Sequence, residues 1–236
     1  MLYTFAFPTK ADKVPAGADW LHEVKYDGYR MMLIREHGRV RLISRGGHDW
    51  ARRFPLIVRA ALKLRQEHFV LDGETVVLGP DGVSDFAALH SGRHNERAQL
   101  YAFDMLAGDG GDQRQLPLSL RKINLARLLK QRIPGVFIAE YEQGEIGRDL
   151  FRVACSMGLE GIVSKRRDCA YAPGKCRHWV KTKNPAHPAY SRVTDQLLVT
   201  RSPEALTWSR VAWAALVLVG ELMPHQCCGA QVWRSR

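Results

Sequence analysis

The octet Glu23-Val24-Lys25-Tyr26-Asp27-Gly28-Tyr29-Arg30 sets a lysine among three further charged side chains and a glycine, one residue after the apolar pair Trp20-Leu21. A lysine crowded by Arg30, by other lysines and by a bound metal ion should release its proton more readily than a free one. A deprotonated lysine is a nucleophile, and the chemistry it suggests is covalent catalysis. A charged hairpin on a basic protein would present the same eight residues, because short motifs recur by chance. The rest of the chain has to decide between the two.

Further charged clusters follow in order: Arg45, Asp72 with Glu74, Asp104, Glu160 with Lys165, and Lys181 with Lys183. Each closes an apolar, strand-like stretch, and strand ends that converge on one cleft are where mixed α/β enzymes place chemistry. The mixture has a chemical logic. Paired carboxylates can hold a hard divalent cation such as magnesium or manganese through oxygen. Several cations together can hold a triphosphate and stabilise the charge of its transition state. A Gly-x-x-x-x-Gly-Lys-Ser/Thr loop is absent from the sequence, so the phosphates are not held by a P-loop.

The elements that must position these groups can be sketched from pattern. Tyr29 to Ile34 and Arg39 to Ile43 are extended in type, with Glu36-His37-Gly38 as the turn between them. This predicts an opening β-meander with Lys25 at its head and Ser44-Arg45-Gly46-Gly47 at its foot. Pro55 starts a helical pattern. Phe69 to Leu78 reads as a strand pair or one kinked strand around Asp72-Gly73-Glu74, closed by Gly79-Pro80-Asp81-Gly82. Ser84 is placed to cap a short helix through Leu89. Leu100 to Leu106 is a strand and Leu118 to Leu129 an amphipathic helix, its apolar side formed by Leu120, Ile123, Leu125, Leu128 and Leu129 among Arg121, Lys122 and Arg127. Phe137 to Ala139 is a strand, Arg148 to Met157 a helix, and Gly161 to Lys165 and Trp179 to Lys183 two strands ending in lysines. The sum is an α+β domain. Pro185 and Pro188 end the pattern, and beyond them only Val211 to Leu216 suggests a short helix before a tail from Cys227.

The chain has 236 residues, room for one domain and a small appendage, and carries a net charge of +11 that points to a polyanion such as nucleic acid. Its longest apolar run, Val211 to Val219, is about half of what a bilayer span needs. The N-terminus lacks the pattern of a secretion signal, so a cytoplasmic location is expected. The five cysteines form no C-x-x-C pair and have no histidine at finger-like spacing, which argues against a zinc site and for plain thiols.

Taken together, Lys25-Tyr-Asp27-Gly28-Tyr-Arg30 resembles motif I of the covalent nucleotidyltransferases: ATP-dependent DNA ligases, RNA ligases and capping enzymes. Ser44-Arg45-Gly46-Gly47 resembles the Ser-Arg-Asn-Gly element that follows it, Leu71-Asp72-Gly73-Glu74 motif III, Tyr101-Ala102-Phe103-Asp104 motif IIIa, Glu160 to Lys165 motif IV and Trp179 to Lys183 motif V. The resemblance covers roughly residues 18 to 184. The connecting stretches Ser84-Asp85-Phe86 and Leu116-Pro117-Leu118 are most similar to bacterial ATP-dependent DNA ligases of the end-joining type.

That resemblance implies an ATP-grasp-like nucleotidyltransferase catalytic domain over residues 1–184, of antiparallel sheets flanked by helices. It implies ATP and magnesium or manganese as cofactors, and nicked or broken duplex DNA as the partner of a nucleoid-associated monomer working in repair and recombination. Lys25 would carry AMP as a phosphoramide before passing it to a 5′-phosphate. Glu23 would lie by the adenine, Arg30 by ribose or phosphate, Arg45 on phosphate, and Glu74 on the ribose hydroxyls or the metal. Phe103 would stack on adenine, where a core aromatic is the plain alternative. Glu160 would ligate the metal, Lys181 and Lys183 would hold the α-phosphate, and Lys175 stands where ligases often have a phosphate-binding arginine. Arg52-Arg53, Arg93, Arg97 and Lys165-Arg166-Arg167 are candidate DNA-backbone contacts, with plain solvated charge as the alternative.

Two features depart from the family. Gly47 stands for the usual asparagine, and residues 185–236 are too few, with too little alternation, for the oligonucleotide-binding (OB) barrel that ligases carry after motif V. This leaves a place for a protein partner supplying the missing function. It also leaves open two rivals: a non-sealing DNA-end-binding remnant, and an RNA ligase or capping-type enzyme.

Overall fold

The structure, a computed structural model, describes residues 3–191. In chain order the elements are β1 (Ala6–Lys10), β2 (Trp20–Val24), β3 (Tyr29–Glu36), β4 (Arg39–Ser44), α1 (Pro55–Lys63), β5 (Phe69–Val76), α2 (Phe86–Ser91), β6 (Gln99–Gly108), β7 (Gly111–Asp112), α3 (Leu118–Leu128), β8 (Val136–Ile138), β9 (Tyr141–Gln143), α4 (Gly147–Ser156), β10 (Gly161–Arg166) and β11 (Gly174–Lys183). They form two sheets, ordered β1-β11-β10-β2-β9 and β4-β3-β5-β6-β7, with β8 added alongside β6.

The opening is not a continuous meander. β2 belongs to the first sheet while β3 and β4 form a hairpin in the second, so Lys25 lies on the crossover between sheets. Gly28 makes that crossover possible. A Cβ there would sit 2.2 Å from the Thr75 carbonyl oxygen and 2.8 Å from Val76 Cγ1, so only glycine lets the chain pass this close to β5. The β3–β4 turn forms as the sequence predicts, with His37 and Gly38 both at positive φ as a two-residue hairpin turn requires.

Nor are the sheets wholly antiparallel. β1 pairs with β11, and β8 with β6, in parallel. The second case follows from connectivity, since α3 lies between β6 and β8 and a helical crossover returns the chain in the same direction. β5 is one strand with register shifts at Val70/Leu71 and Asp72/Gly73, the kinked alternative of the sequence reading.

β3 explains its own composition. Met31 and Leu33 enter a core closed by α1, α3 and the outer face of the second sheet. Met32 and Ile34 enter a core shared with Trp179 of the first sheet and with Phe5 and Tyr171 from the segments beside it. Buried on both faces, β3 needs an unbroken apolar run. Pro55 takes the first turn of α1, and buried Arg35 gives Nη1 to the carbonyls of Ala61, Leu64 and Gln66, collecting the free acceptors at that helix's end.

Two local expectations are corrected. Asp85, not Ser84, caps α2, its carboxylate accepting from the Ala88 amide, because Ser84 is bridged to Leu78. On α3 the expected apolar side holds at Leu125, Leu128 and Leu129, which are buried, but fails in the first turns: Arg121 and Lys122 are buried, whereas Leu120 and Ile123 are 46% and 45% exposed. Buried carboxylates on neighbouring strands draw those two cations inward.

The chain from Asn184 to Ser191 turns back on the domain. Asn184 is buried, donating its backbone amide to Glu160 O and its side-chain amide to Leu159 O, and Ala189 is buried beyond it. The expected short helix at Val211 to Leu216, the tail, and the expected lack of an OB barrel fall on 192–236, outside the described residues.

Candidate active site

Lys25 follows β2 directly, and its backbone amide donates to the Gly161 carbonyl, tying the start of the crossover to β10. Gly161 is itself constrained: at φ +134 its Cβ would lie 2.2 Å from Thr182 O on β11. The three strands are thereby closed up where the charged residues meet. Lys25 Nζ donates to Glu160 Oε2 at 2.6 Å, and Lys183 Nζ reaches Glu160 Oε1 at 3.1 Å while also donating to Ala189 O. Lys181, two residues before Lys183, shares its face of β11. Arg45, at the foot of β4, has its guanidinium 5.0 Å from the centre of the Phe7 ring. A shallow cleft beside Lys25 is lined by Tyr26, Asp27, Ser84, Glu160 and His187.

The electrostatics correct the expectation for Lys25. Burial works to lower its pKa, but Glu160, Glu74 and Asp27 outweigh burial, and the net shift is upward. Arg30, expected to crowd the lysine, is turned away from it. Its Nε and Nη2 grip both oxygens of buried Asp72 at 2.9 and 2.6 Å, and Nη1 donates to Ala6 O. Tyr171 donates to the same Asp72 and accepts from the Ala6 amide, so this network ties the two sheets together. The lysine whose proton is loosened is Lys181, lowered by burial first and then by Lys25 and Lys183, with Arg45 adding and Glu160 opposing. Lys25, Glu74, Glu160, Lys181, Lys183 and Arg45 therefore act within one electrostatic field.

Glu23 is in a second, closed cluster. Its Oε2 accepts from Lys165 Nζ and its Oε1 faces Lys122 Nζ, both at 2.6 Å. Lys165 Nζ lies 4.0 Å from the Phe103 ring centre and 4.3 Å from that of Trp179. Burial, with Lys122 adding to it and Glu23 and Asp104 opposing, brings Lys165 down to about 8. This excludes Lys165 as a DNA-backbone contact, since it is 1% exposed. Phe103 is half-buried, edge-on to Trp179, at the border between core and cluster. Asp104 is given over to Arg121, which donates to both its oxygens at 2.7 and 2.9 Å.

Other expected residues fall elsewhere. Lys175 is exposed near the start of β11, opposite Phe7, and joins the Lys25 cluster through no ion pair among the described residues. Arg53 donates to Asn95 and Leu89 O and covers Trp50, and Arg166 pairs with Asp168. Arg52, Arg93 and Arg97 are exposed. Position by position the family's asparagine falls on Gly46, not on Gly47 as expected, and Gly47 takes the place of the family's glycine; it is at φ +83 with its amide on Ser44 O, a conformation that glycine adopts at no steric cost. Lys122, Trp179 and Tyr171 were missed. Lys122 and Tyr171 look like ordinary surface and loop positions in sequence, and Trp179 like part of a strand.

For a divalent cation the donors present are Glu160 and Glu74, both bearing on Lys25. Among the described residues no set of three or more His, Cys, Asp or Glu forms a complete cage. Two carboxylates fit a hard cation that completes its shell with phosphate oxygens and water.

The description "ATP dependent DNA ligase domain" matches residues 6–183. The chain belongs to that family. Among its relatives, the multifunctional non-homologous end joining protein LigD of Pseudomonas aeruginosa is 38% identical over 172 residues, which is 72% of this chain and 20% of that protein. LigD of Mycobacterium tuberculosis is 37% identical over 170 residues, 71% of this chain and 22% of the relative. This ligase-family chain thus matches about a fifth of the length of these curated relatives. Among solved structures, a mycobacterial DNA ligase D complexed with ATP and MES superposes with a TM-score of 0.62 at 31% identity, over 75% of this chain and 60% of that one. The ligase domain of M. tuberculosis LigD gives 0.62 at 32% identity with the same coverage. Among the described residues, no helix is long and apolar enough to cross a membrane.

Proposed function

We propose that this chain performs the nucleotidyl transfer of an ATP-dependent DNA ligase: Lys25 takes AMP from ATP and passes it to a DNA 5′-phosphate, and a 3′-hydroxyl closes the break with release of AMP. The observation that supports this most is the grip of Lys25 and Lys183 on the two oxygens of Glu160, at 2.6 and 3.1 Å, with Lys181 beside them.

In the first step Lys25 Nζ, after giving up its proton, forms a P–N bond to the α-phosphorus while the P–O bond to pyrophosphate breaks. Lys181 and Lys183 bring positive charge to the oxygens where it is needed as the bond order changes. Glu160 and Glu74 would hold magnesium or manganese, which neutralises phosphate charge and offsets the carboxylates that keep Lys25 protonated. Glu23 and Phe103 form the base end of the site, with Phe103 as its platform. Arg30 serves through Asp72 by fixing the two sheets rather than by touching phosphate. Arg45 lies on the side of the nucleotide or nick phosphate, and exposed Arg52, Arg93 and Arg97 follow the DNA backbone. The kinship with end-joining LigD proteins supports broken duplex DNA as the substrate and repair as the setting.

The test is incubation with magnesium and α-labelled ATP, beside Lys25→Ala, followed by denaturing electrophoresis. A label on the wild type that is lost in the variant supports the proposal. ATP binding without a label would move the reading to a non-sealing remnant, and neither label nor binding would overturn it.

A further inference from the structure

The transfer step draws its reacting groups from the open cluster and, of the closed one, gives Glu23 and Phe103 a part but leaves Lys122 without one. Glu23 stands in β2 two residues before Lys25, which follows the strand directly, so the two clusters are joined through a short piece of one backbone. The Glu23 carboxylate is held from two sides. Lys165 reaches Oε2 from β10, wedged against the Phe103 and Trp179 rings, and Lys122 reaches Oε1 from α3, 4.9 Å from the centre of the Tyr141 ring. The two lysine side chains are 2% and 1% exposed.

Two buried ammonium groups on one carboxylate leave a positive charge uncompensated. Stability does not account for this, since apolar replacement of a buried ion pair is often neutral or stabilising. α3 also has apolar residues to turn inward, Leu120 and Ile123, and exposes them instead. Lys165 alone would satisfy the charge of Glu23. The added lysine, 2.6 Å from Oε1, removes the carboxylate's freedom to swing onto Lys165 with both oxygens.

We infer that Lys122 is a positioning residue for the nucleotide base: it holds Glu23 beside Phe103 as a fixed acceptor for the base's amino group. The inference rests on the reading above that Glu23 lies by the adenine. It goes beyond it by giving α3 a part in base choice that none of the six motifs carries.

The test uses the full chain and compares ATP with purine riboside triphosphate, which lacks the 6-amino group, as substrates for labelling Lys25. The wild type should favour ATP in kcat/KM, and Lys122→Met should lose about tenfold on ATP, chiefly in KM, with less than about twofold change on the analogue. Lys122→Arg, which keeps the charge, should restore most of the preference. If the thermal melt of Lys122→Met is lost, Lys122→Gln, which keeps a donor without the charge, takes its place with the same expectation. An equal loss on both nucleotides, or no loss on ATP, would overturn the inference and leave the ligase reading standing. A wild type that treats the two nucleotides alike would instead overturn the placement of Glu23, and a wild type that labels with neither would overturn the ligase reading itself.

Discussion

Two glutamates in this domain each stand between two lysines, and both sets are built across the same pair of strands. Glu23 on β2 meets Lys165 on β10, while Lys25 just after β2 meets Glu160 just before β10. A third element completes each, α3 with Lys122 and β11 with Lys183. The shortest contact in both is 2.6 Å. What separates them is water. Lys25 and Lys183 are 22% and 18% exposed in their side chains, whereas Lys122 and Lys165 are 1% and 2% exposed. The open set can exchange its partners for a ligand's charges at modest cost. The closed set is locked, because an unpaired charge there has no solvent to turn to. On the function proposed above, the same residue types serve reaction in one place and positioning in the other.

The largest effect that would sharpen this contrast is in chemistry. Lys25→Ala should abolish covalent labelling by ATP while leaving the thermal melt close to that of the wild type. A melt that collapses with the label would mean that the open set is structural after all. Glu160→Gln should lower the rate of Lys25 labelling by about 10²-fold and change stability by no more than about 1 kcal/mol, because its lysines retain access to water.

Glu23→Gln should be felt first in stability. It strands two buried ammonium groups and should cost about 3–5 kcal/mol in denaturant unfolding. If Glu23→Gln and Glu160→Gln destabilise alike, burial does not separate the two sets.

The smallest expected effects are in pH. Lys165, at about 8 when folded, binds its proton more weakly than in the unfolded chain, whose lysines titrate near 10.4. Between those values the unfolded state carries more protons, so this group makes stability rise with pH from about 8 to about 10.4. Lys165→Met should flatten that rise, as measured by urea midpoints across the range. Lys25 shifts the other way, so its labelling rate should climb with pH above neutrality, in wild type and Lys165→Met alike. A labelling rate that is level from pH 7 to 9 would show that Lys25 reacts from a neutral state that its neighbours here do not favour.

Much of the site was legible in the chain because strands present charge at their ends in fixed order. Lys25, Glu74, Glu160, Lys181 and Lys183 were singled out by type and position, and the fold brings their charges into one field. Arg45 joins them from a hairpin whose turn, His37-Gly38, is visible in sequence. What misled was helix periodicity. On α3 the pattern put Leu120 and Ile123 on the apolar side, but buried Asp104 and Glu23 on β6 and β2 demand cations from whatever covers them, and Arg121 and Lys122 answer. Arg30 was misjudged for a similar reason, as nothing in motif I tells that Asp72, forty-two residues away, takes both of its arms.

By itself the sequence singled out the groups whose types suit the chemistry and the order in which strands carry them. These depend on residue type and on spacing along one strand. Only the tertiary structure decided which charges are spent on each other, that Lys25 holds its proton while Lys181 and Lys165 loosen theirs, and that Lys122 faces inward. Those outcomes depend on distances between strands and on exclusion of water, and neither is written in the spacing of residues along the chain.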